Sequence, residues 1–286
     1  MKSMMKVSPS LDAALRHALA GVAIAASMLT LPLAAHAKDA PPTSGAVLGA
    51  LHDVQPADDA TTIDIANGAT ANFWYGYRVE IGGKTYYTGL VWNTPERYGK
   101  PGEDEAGPGD TVNLAETTFV LTNPGQKPAW TWLGSEFSIG EFGAYKKPEE
   151  IDTERKPIEH CTAGGRVIVG VPVSSFENGF TLKGYSMFVF NPNRDPDNIE
   201  EHVWTYLGRV ATDEENAAAC DGGAVMPCIA RTGEVGFVTG PAEMPQVVVK
   251  FKGTTIEGPG KTRELGAADN AVYQFNRKKQ SYEAKS

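Results

Sequence analysis

The chain of 286 residues carries 26 basic and 35 acidic side chains, a net charge of −9, with three cysteines and five histidines. A surface this acidic repels phosphate backbones and anionic headgroups, which argues against nucleic acid as a partner. Of the five histidines only His52, His160 and His202 lie beyond residue 37, which leaves little for histidine-centred catalysis or metal binding.

Residues 1–37 have the form of a secretory signal. Lys2, Lys6 and Arg16 make a basic start, Ala18 to Ala35 is mostly apolar, and Ala35-His36-Ala37 supplies the small residues that signal peptidase reads. A membrane anchor is the competing reading, but Pro32 and the small-residue ending favour cleavage after Ala37. The expectation is an exported chain, periplasmic or secreted, whose mature part does not insert in a membrane. The first 37 residues hold three basic groups and one acidic group, so the remaining 249 carry 23 and 34, a balance of −11.

Residues 38–60 are rich in Pro, Ala and Asp and read as a flexible leader with one helical turn near Ala46 to Leu51. A β-rich half is expected over 61–145. Its clearest element runs from Phe73 to Ile81, where odd positions are apolar and Arg78 and Glu80 fall on the other face. Gly82-Gly83 suits a two-residue hairpin turn. That turn predicts Val79 opposite Tyr86, Tyr77 opposite Thr88, Tyr75 opposite Leu90 and Phe73 opposite Trp92, with this face in the core and Trp74 outward. Asn93 to Asp110, with three prolines and five acids, reads as a long loop of the kind that carries function or disorder. Residues 146–160 concentrate charge and read as a linker or exposed connection before a second β-rich half, 161–286.

Two stretches echo each other: Phe119 to Pro124 with Trp130-Thr-Trp-Leu-Gly134, and Phe188 to Pro192 with Trp204-Thr-Tyr-Leu-Gly208. Each reads as strand, Asn-Pro turn and strand, and a common origin would place Phe119 and Phe188, and Trp130 and Trp204, equivalently. Arg166 to Val173, Phe180 to Phe190, Glu234 to Val238, Gln246 to Phe251 and Ala271 to Phe275 read as further strands. Asp213 to Ala219 reads as a short helix. The class is all-β: antiparallel sheets, sandwich- or barrel-like, with a minor helical content and two similar β halves as one arrangement of them.

In an oxidising compartment one bridge is expected, and the seven residues between Cys220 and Cys228 close easily, leaving Cys161 free and largely buried. His160 beside Cys161 lacks the paired spacing of a zinc site. Asn191, Asn193, Asp195 and Asp197 alternate like calcium ligands, but Pro196 stands where such a loop needs glycine, and Glu200 and Glu201 are misplaced for the last ligand. No cofactor is expected. No catalytic motif is present, though Glu136 and Glu141 stand in an aromatic neighbourhood where a glycosidase pair would be at home. The sequence therefore favours a non-catalytic binding or interaction protein for a protein or carbohydrate ligand, with Trp130, Trp132, Trp204, Tyr206, Asp195 and Asp197 as contact residues. Two rivals are a carbohydrate-active hydrolase built on a carboxylate pair, and an inhibitor or immunity-type protein of a basic exported enzyme, motivated by the charge.

Overall fold

A computed structural model describes residues 39–285 apart from 97, 98, 100, 103, 196, 199 and 200. The signal expected at 1–37, Pro196 and Glu200 lie outside the described residues. The architecture is all-β and antiparallel, with two sheets.

The first sheet has the order β1 (Thr62–Asp64), β2 (Thr70–Ile81), β3 (Lys84–Asn93), β4 (Val112–Leu121) and β5 (Trp130–Phe142), each strand paired with the next in sequence. The second runs β15 (Ser281–Ala284), β14 (Ala271–Asn276), β12 (Gln246–Gly258), β11 (Ala230–Val238), β10 (Trp204–Glu215), β9 (Phe180–Phe190), β8 (Val167–Glu177), β6 (Glu150–Ile151), with β13 (Lys261–Glu264) on β12 and β7 (Ile158–Cys161) on β8.

Three apolar layers hold these elements together. Val79, Tyr86, Leu90, Leu114 and Phe142 from the first sheet meet Val167, Val169, Val171, Phe188, Phe190 and Trp204 from the second. The far face of the first sheet is closed by helix α1 (Ser44–His52), whose Val47, Leu48 and Leu51 pack on Ala71, Tyr87, Val91, Ala115 and Phe119. The far face of β8–β10 is closed by the second sheet itself. β10 pairs with β11 at only two positions, so β11 diverges and carries β12, β14 and β15 back over Ile168, Met187, Val189, Leu207 and Val210. β8 is thus covered on both faces, which is why its Val-Ile-Val-Gly-Val-Pro-Val run has no polar side.

Residues 38–60 are accordingly not a loose leader throughout. Thr43 caps α1 by accepting the Ala46 N–H at 3.2 Å, and Asp53 ends it in the left-handed region. Val47 sits so close to Gly89 that a Cβ there would lie 2.4 Å from its methyl. Nor is 146–160 unpaired: it contains β6 and β7, and it is pinned by Arg155. That guanidinium donates to Asp152 at 2.8 Å, to Thr212 at 2.8 Å, and to the carbonyls of Gly184 at 2.7 Å and Val173 at 3.2 Å.

The hairpin of β2 and β3 has the expected register from Ile81↔Lys84 to Tyr75↔Leu90, around glycines at φ 59° and 73°. Beyond Tyr75 it departs. A β-bulge at Trp74 makes Phe73 pair with Val91 and Asn72 with Trp92. The extra residue turns Trp74 inward against Phe142, at 4.8 Å between ring centroids, and sends Phe73 to the α1 side. Arg78 and Glu80 do face outward.

The two echoing hairpins share a register, Leu121↔Trp130 matching Phe190↔Trp204, but present opposite faces. Phe119 and Trp130 pack under α1, whereas Phe188 and Trp204 lie between the sheets. The resemblance is local. The short helix expected from Asp213 is also shorter than read, α2 covering Ala217–Cys220, because β10 continues through Glu215.

Cys220 and Cys228 form the disulfide. Cys161 is free but exposed, against the expectation of burial. In β7 the inward positions are Ile158 and His160, the latter stacked on Phe237 at 4.7 Å, so alternation turns Cys161 outward.

Candidate functional site

A cleft of about 500 Å³ opens where the end of β5 meets β6, β8 and β10. Its floor is Tyr206, held edge-on to Phe142 and tilted against Phe188 at 5.3 Å. Burial, and then the nearby Glu149 carboxylate, push the Tyr206 hydroxyl above its ordinary range, so it remains a neutral donor. Glu149 is fixed by an ion pair to Arg209 at 2.8 Å and by the Ser186 hydroxyl at 2.6 Å. The Ser175 hydroxyl lines the same cleft and is buried with no hydrogen-bond partner among the described residues.

Two aromatics stand at the rim, Tyr145 at 43 % and Phe176 at 66 % exposure. Tyr145 is held there by a tight turn, closed by reciprocal hydrogen bonds between Ala144 and Lys147. Its two central residues, Tyr145 and Lys146, both have positive φ, 52° and 55°. That geometry belongs to Asn and Gly, and each bulky side chain placed in it costs about 1–3 kcal/mol. Bonds from the 94–110 loop hold it in place: Tyr145 N–H to the Gly107 carbonyl at 3.0 Å, Lys146 N–H to the Asp110 carbonyl at 2.7 Å, and Lys146 Nζ to the Asp104 carbonyl at 2.7 Å. Part of the long loop therefore works as a brace for Tyr145.

A second, smaller cavity of about 300 Å³ lies between β4, β5 and the residues Asn191, Pro192, Arg194 and Val203. Glu116 and Glu136, cross-strand partners on β4 and β5, both line it. Glu136 is saturated: its carboxylate accepts from the Val203 N–H at 3.1 Å and the Trp204 N–H at 3.2 Å, with His202 Nδ1 at 3.3 Å and Arg194 at 3.9 Å. Glu116 is 0 % exposed, and among the described residues only one of its oxygens has a partner.

The residues singled out in the sequence are dispersed. Tyr206 reaches the cleft. Trp204 is 1 % exposed and gives its Nε1 hydrogen to Thr88 in the core. Trp130 is half-buried, donates to the Ala40 carbonyl at 2.8 Å and sits beneath Arg78. Trp132 is 56 % exposed on β5, the edge strand, with Leu133 and Phe137 also exposed. Asp195 and Asp197 are exposed in a loop tied by its own bonds, Asp195 accepting the Asp197 N–H and giving its N–H to Glu201. Among the described residues no three His, Cys, Asp or Glu side chains converge as metal ligands. Glu141 lines the cleft and Glu136 the separate cavity, so the fold does not bring them into one site.

Glu116 escapes a reading of the sequence although a signal is present. Val112, Leu114, Glu116, Thr118 and Val120 share one parity in β4, so the acid belongs to the inward face. Tyr145 has no such signal, since Tyr-Lys is not a turn sequence.

No family model, no curated protein and no solved structure matches the chain. Among the described residues no helix is long and apolar enough to cross a membrane.

Proposed function

We propose that this is an exported, non-catalytic binding protein that holds a carbohydrate chain in the cleft between Tyr145 and Phe176. The single observation that carries this reading is the braced, strained turn at Tyr145. Strain of this kind persists where the surroundings over-determine it, and it clusters at ligand clamps. A sugar offers an apolar C–H face and a rim of hydroxyls. The cleft offers two exposed rings for the first, and for the second Tyr206, Ser175 and the carboxylates of Glu141, Glu150 and Glu177. Export is supported by the signal-like residues 1–37 and by the Cys220–Cys228 bond, which persists in oxidising compartments. Amino-terminal sequencing of the exported protein should begin at Lys38.

The binding reading is tested by a glycan array probed with the exported protein and with the Tyr145→Ala and Phe176→Ala variants. The expected result is binding to a defined glycan set that weakens at least tenfold in either variant, roughly the stacking energy of one ring. Binding unchanged in both variants would overturn it.

A second reading rests on β5. Trp132, Leu133 and Phe137 are exposed along an edge strand, which is a surface suited to a protein partner. The inhibitor reading has charge alone behind it. The hydrolase reading loses its proposed pair, because Glu136 has both oxygens engaged by backbone N–H groups.

A further inference from the structure

Four buried polar groups form a chain that ends in the smaller cavity. Trp204 Nε1 donates to Thr88 Oγ1 at 2.9 Å, Thr88 and Thr118 share a hydrogen bond of 2.7 Å, and Thr118 Oγ1 donates to Glu116 Oε2 at 2.6 Å. Thr88, Thr118 and Trp204 are each 1 % exposed. The direction of the chain follows from counting hydrogens. Each hydroxyl has one, so if Thr118 donates to an ionised Glu116, Thr88 must donate to Thr118. In that ionised state, the one a bound cation would call up, every hydrogen has an acceptor. Reversing the chain would leave the Thr88 hydrogen with no acceptor among the described residues. All three donors therefore point towards Glu116, and each polarises the next.

Such a chain prepares Glu116 to be an acceptor, yet its Oε1 is buried without a partner among the described residues. No described residue of the cavity that Glu116 lines donates to that oxygen. Arg194 Nη1 donates to the Glu201 carbonyl at 3.1 Å and faces Glu136 at 3.9 Å, and His202 also turns to Glu136. The charged lining is two carboxylates against the Arg194 guanidinium, with His202 behind Glu136. We propose that the cavity between β4, β5 and the residues Asn191, Pro192, Arg194 and Val203 binds a small organic cation bearing N–H donors, an alkylammonium or alkylguanidinium, through Glu116 Oε1. The volume suits a ligand of a few heavy atoms, and Leu133, Pro192 and Val203 provide an apolar wall for its alkyl part. The site is separate from the aromatic cleft.

Burial, with the Glu136 charge adding to it, holds the Glu116 carboxyl well above the usual range, so ionisation awaits a positive partner. Cation binding then expels the Glu116 proton and strengthens as pH rises. Methylguanidinium and n-propylammonium are the probes, titrated into the exported protein by calorimetry in two buffers of different ionisation enthalpy. Carbon-13 shifts of the labelled glutamate carboxyls report which side chain ionises. The expected result is saturable binding with proton release, and a shifted Glu116 carboxyl signal. Affinity should fall at least tenfold in Glu116→Gln, the loss of a charge-assisted bond, and rise in Arg194→Gln, which removes the like charge. Tetramethylammonium, without an N–H, should not compete, and neither should potassium. Absence of saturable binding by both probes, equal binding by tetramethylammonium, or full affinity in Glu116→Gln would each overturn the proposal. The Arg194→Gln variant keeps the test decisive if Glu116→Gln misfolds, since unchanged or weaker binding there contradicts it as well.

Discussion

At the scale of one residue, Glu116 contributes to the protein's pH response. Its folded-state acidity is weakened by burial, so the native protein holds a proton that the unfolded chain releases. Such a group contributes its full stability below the unfolded carboxyl value, and that stability is lost as pH rises towards the folded value. Glu116→Gln cannot ionise. It should therefore match the parent near pH 4 and exceed it by about 1 kcal/mol or more at pH 8, since each tenfold gain in proton affinity on folding is worth about that much. Urea unfolding at the two pH values measures it, and an advantage at pH 8 no larger than that at pH 4 would contradict the assignment. Asp152 has the opposite sign. Burial pushes its carboxyl up, but the Glu154 N–H, Lys183 and Arg155 outweigh that and hold it below the ordinary value. Its contribution is present above the unfolded value and is lost as pH falls through the folded one. Arg155→Met should thus destabilise by about 3 kcal/mol at pH 7, the cost of taking one partner from a buried carboxylate, which keeps Lys183 and the Glu154 N–H, and of leaving two sheet carbonyls without their donor. Acid unfolding of that variant should begin at higher pH than in the parent, which a pH titration of circular dichroism would show.

At the scale of elements, the sequence made strands legible where local chemistry was sufficient. Gly82-Gly83 and strict alternation placed Tyr75, Tyr77 and Val79 opposite Leu90, Thr88 and Tyr86. The register break at Trp74 was not legible, because a bulge here carries no glycine or proline to announce it. Burial of both faces of β3 was hidden for another reason. Tyr87 and Val91 are covered by α1, and α1 was obscured by the Pro- and Asp-rich composition around it. The charged run 146–160 read as a connection because charge normally faces water, whereas Asp152 and Arg155 turn inward as a pair. The disulfide followed from spacing alone, since a small loop leaves the two cysteines near each other. Its constraint on the unfolded chain is correspondingly modest. Replacing both Cys220 and Cys228 by Ser should lower stability by about 2–3 kcal/mol without unfolding the protein at 25 °C. Loss of the native far-ultraviolet spectrum in that variant would show that the bridge secures more than α2 and the start of β11.

At the scale of the whole molecule, four layers follow from a single arrangement: α1, the first sheet, β8–β10, and the returning strands β12, β14 and β15. The long loop before β4 braces a turn after β5, and that turn brings Tyr145 to the mouth of a cleft whose far side comes from β8. The cleft is thus a product of the packing of the two sheets, and neither sheet contains it alone. The candidate site was only partly legible in the sequence for the same reason: Tyr206 was visible as a strand aromatic, but its partners Tyr145, Phe176 and Ser175 come from elsewhere in the chain. The central claim is that an extended saccharide lies across Tyr145 and Phe176. Its most direct measurement is a nuclear Overhauser experiment on the exported protein with an oligosaccharide chosen from the array. The account predicts contacts from sugar C–H protons to the rings of both Tyr145 and Phe176, while Trp132 and Phe137 stay silent. Contacts confined to Trp132, Leu133 and Phe137 would contradict it and move the binding surface to the β5 edge.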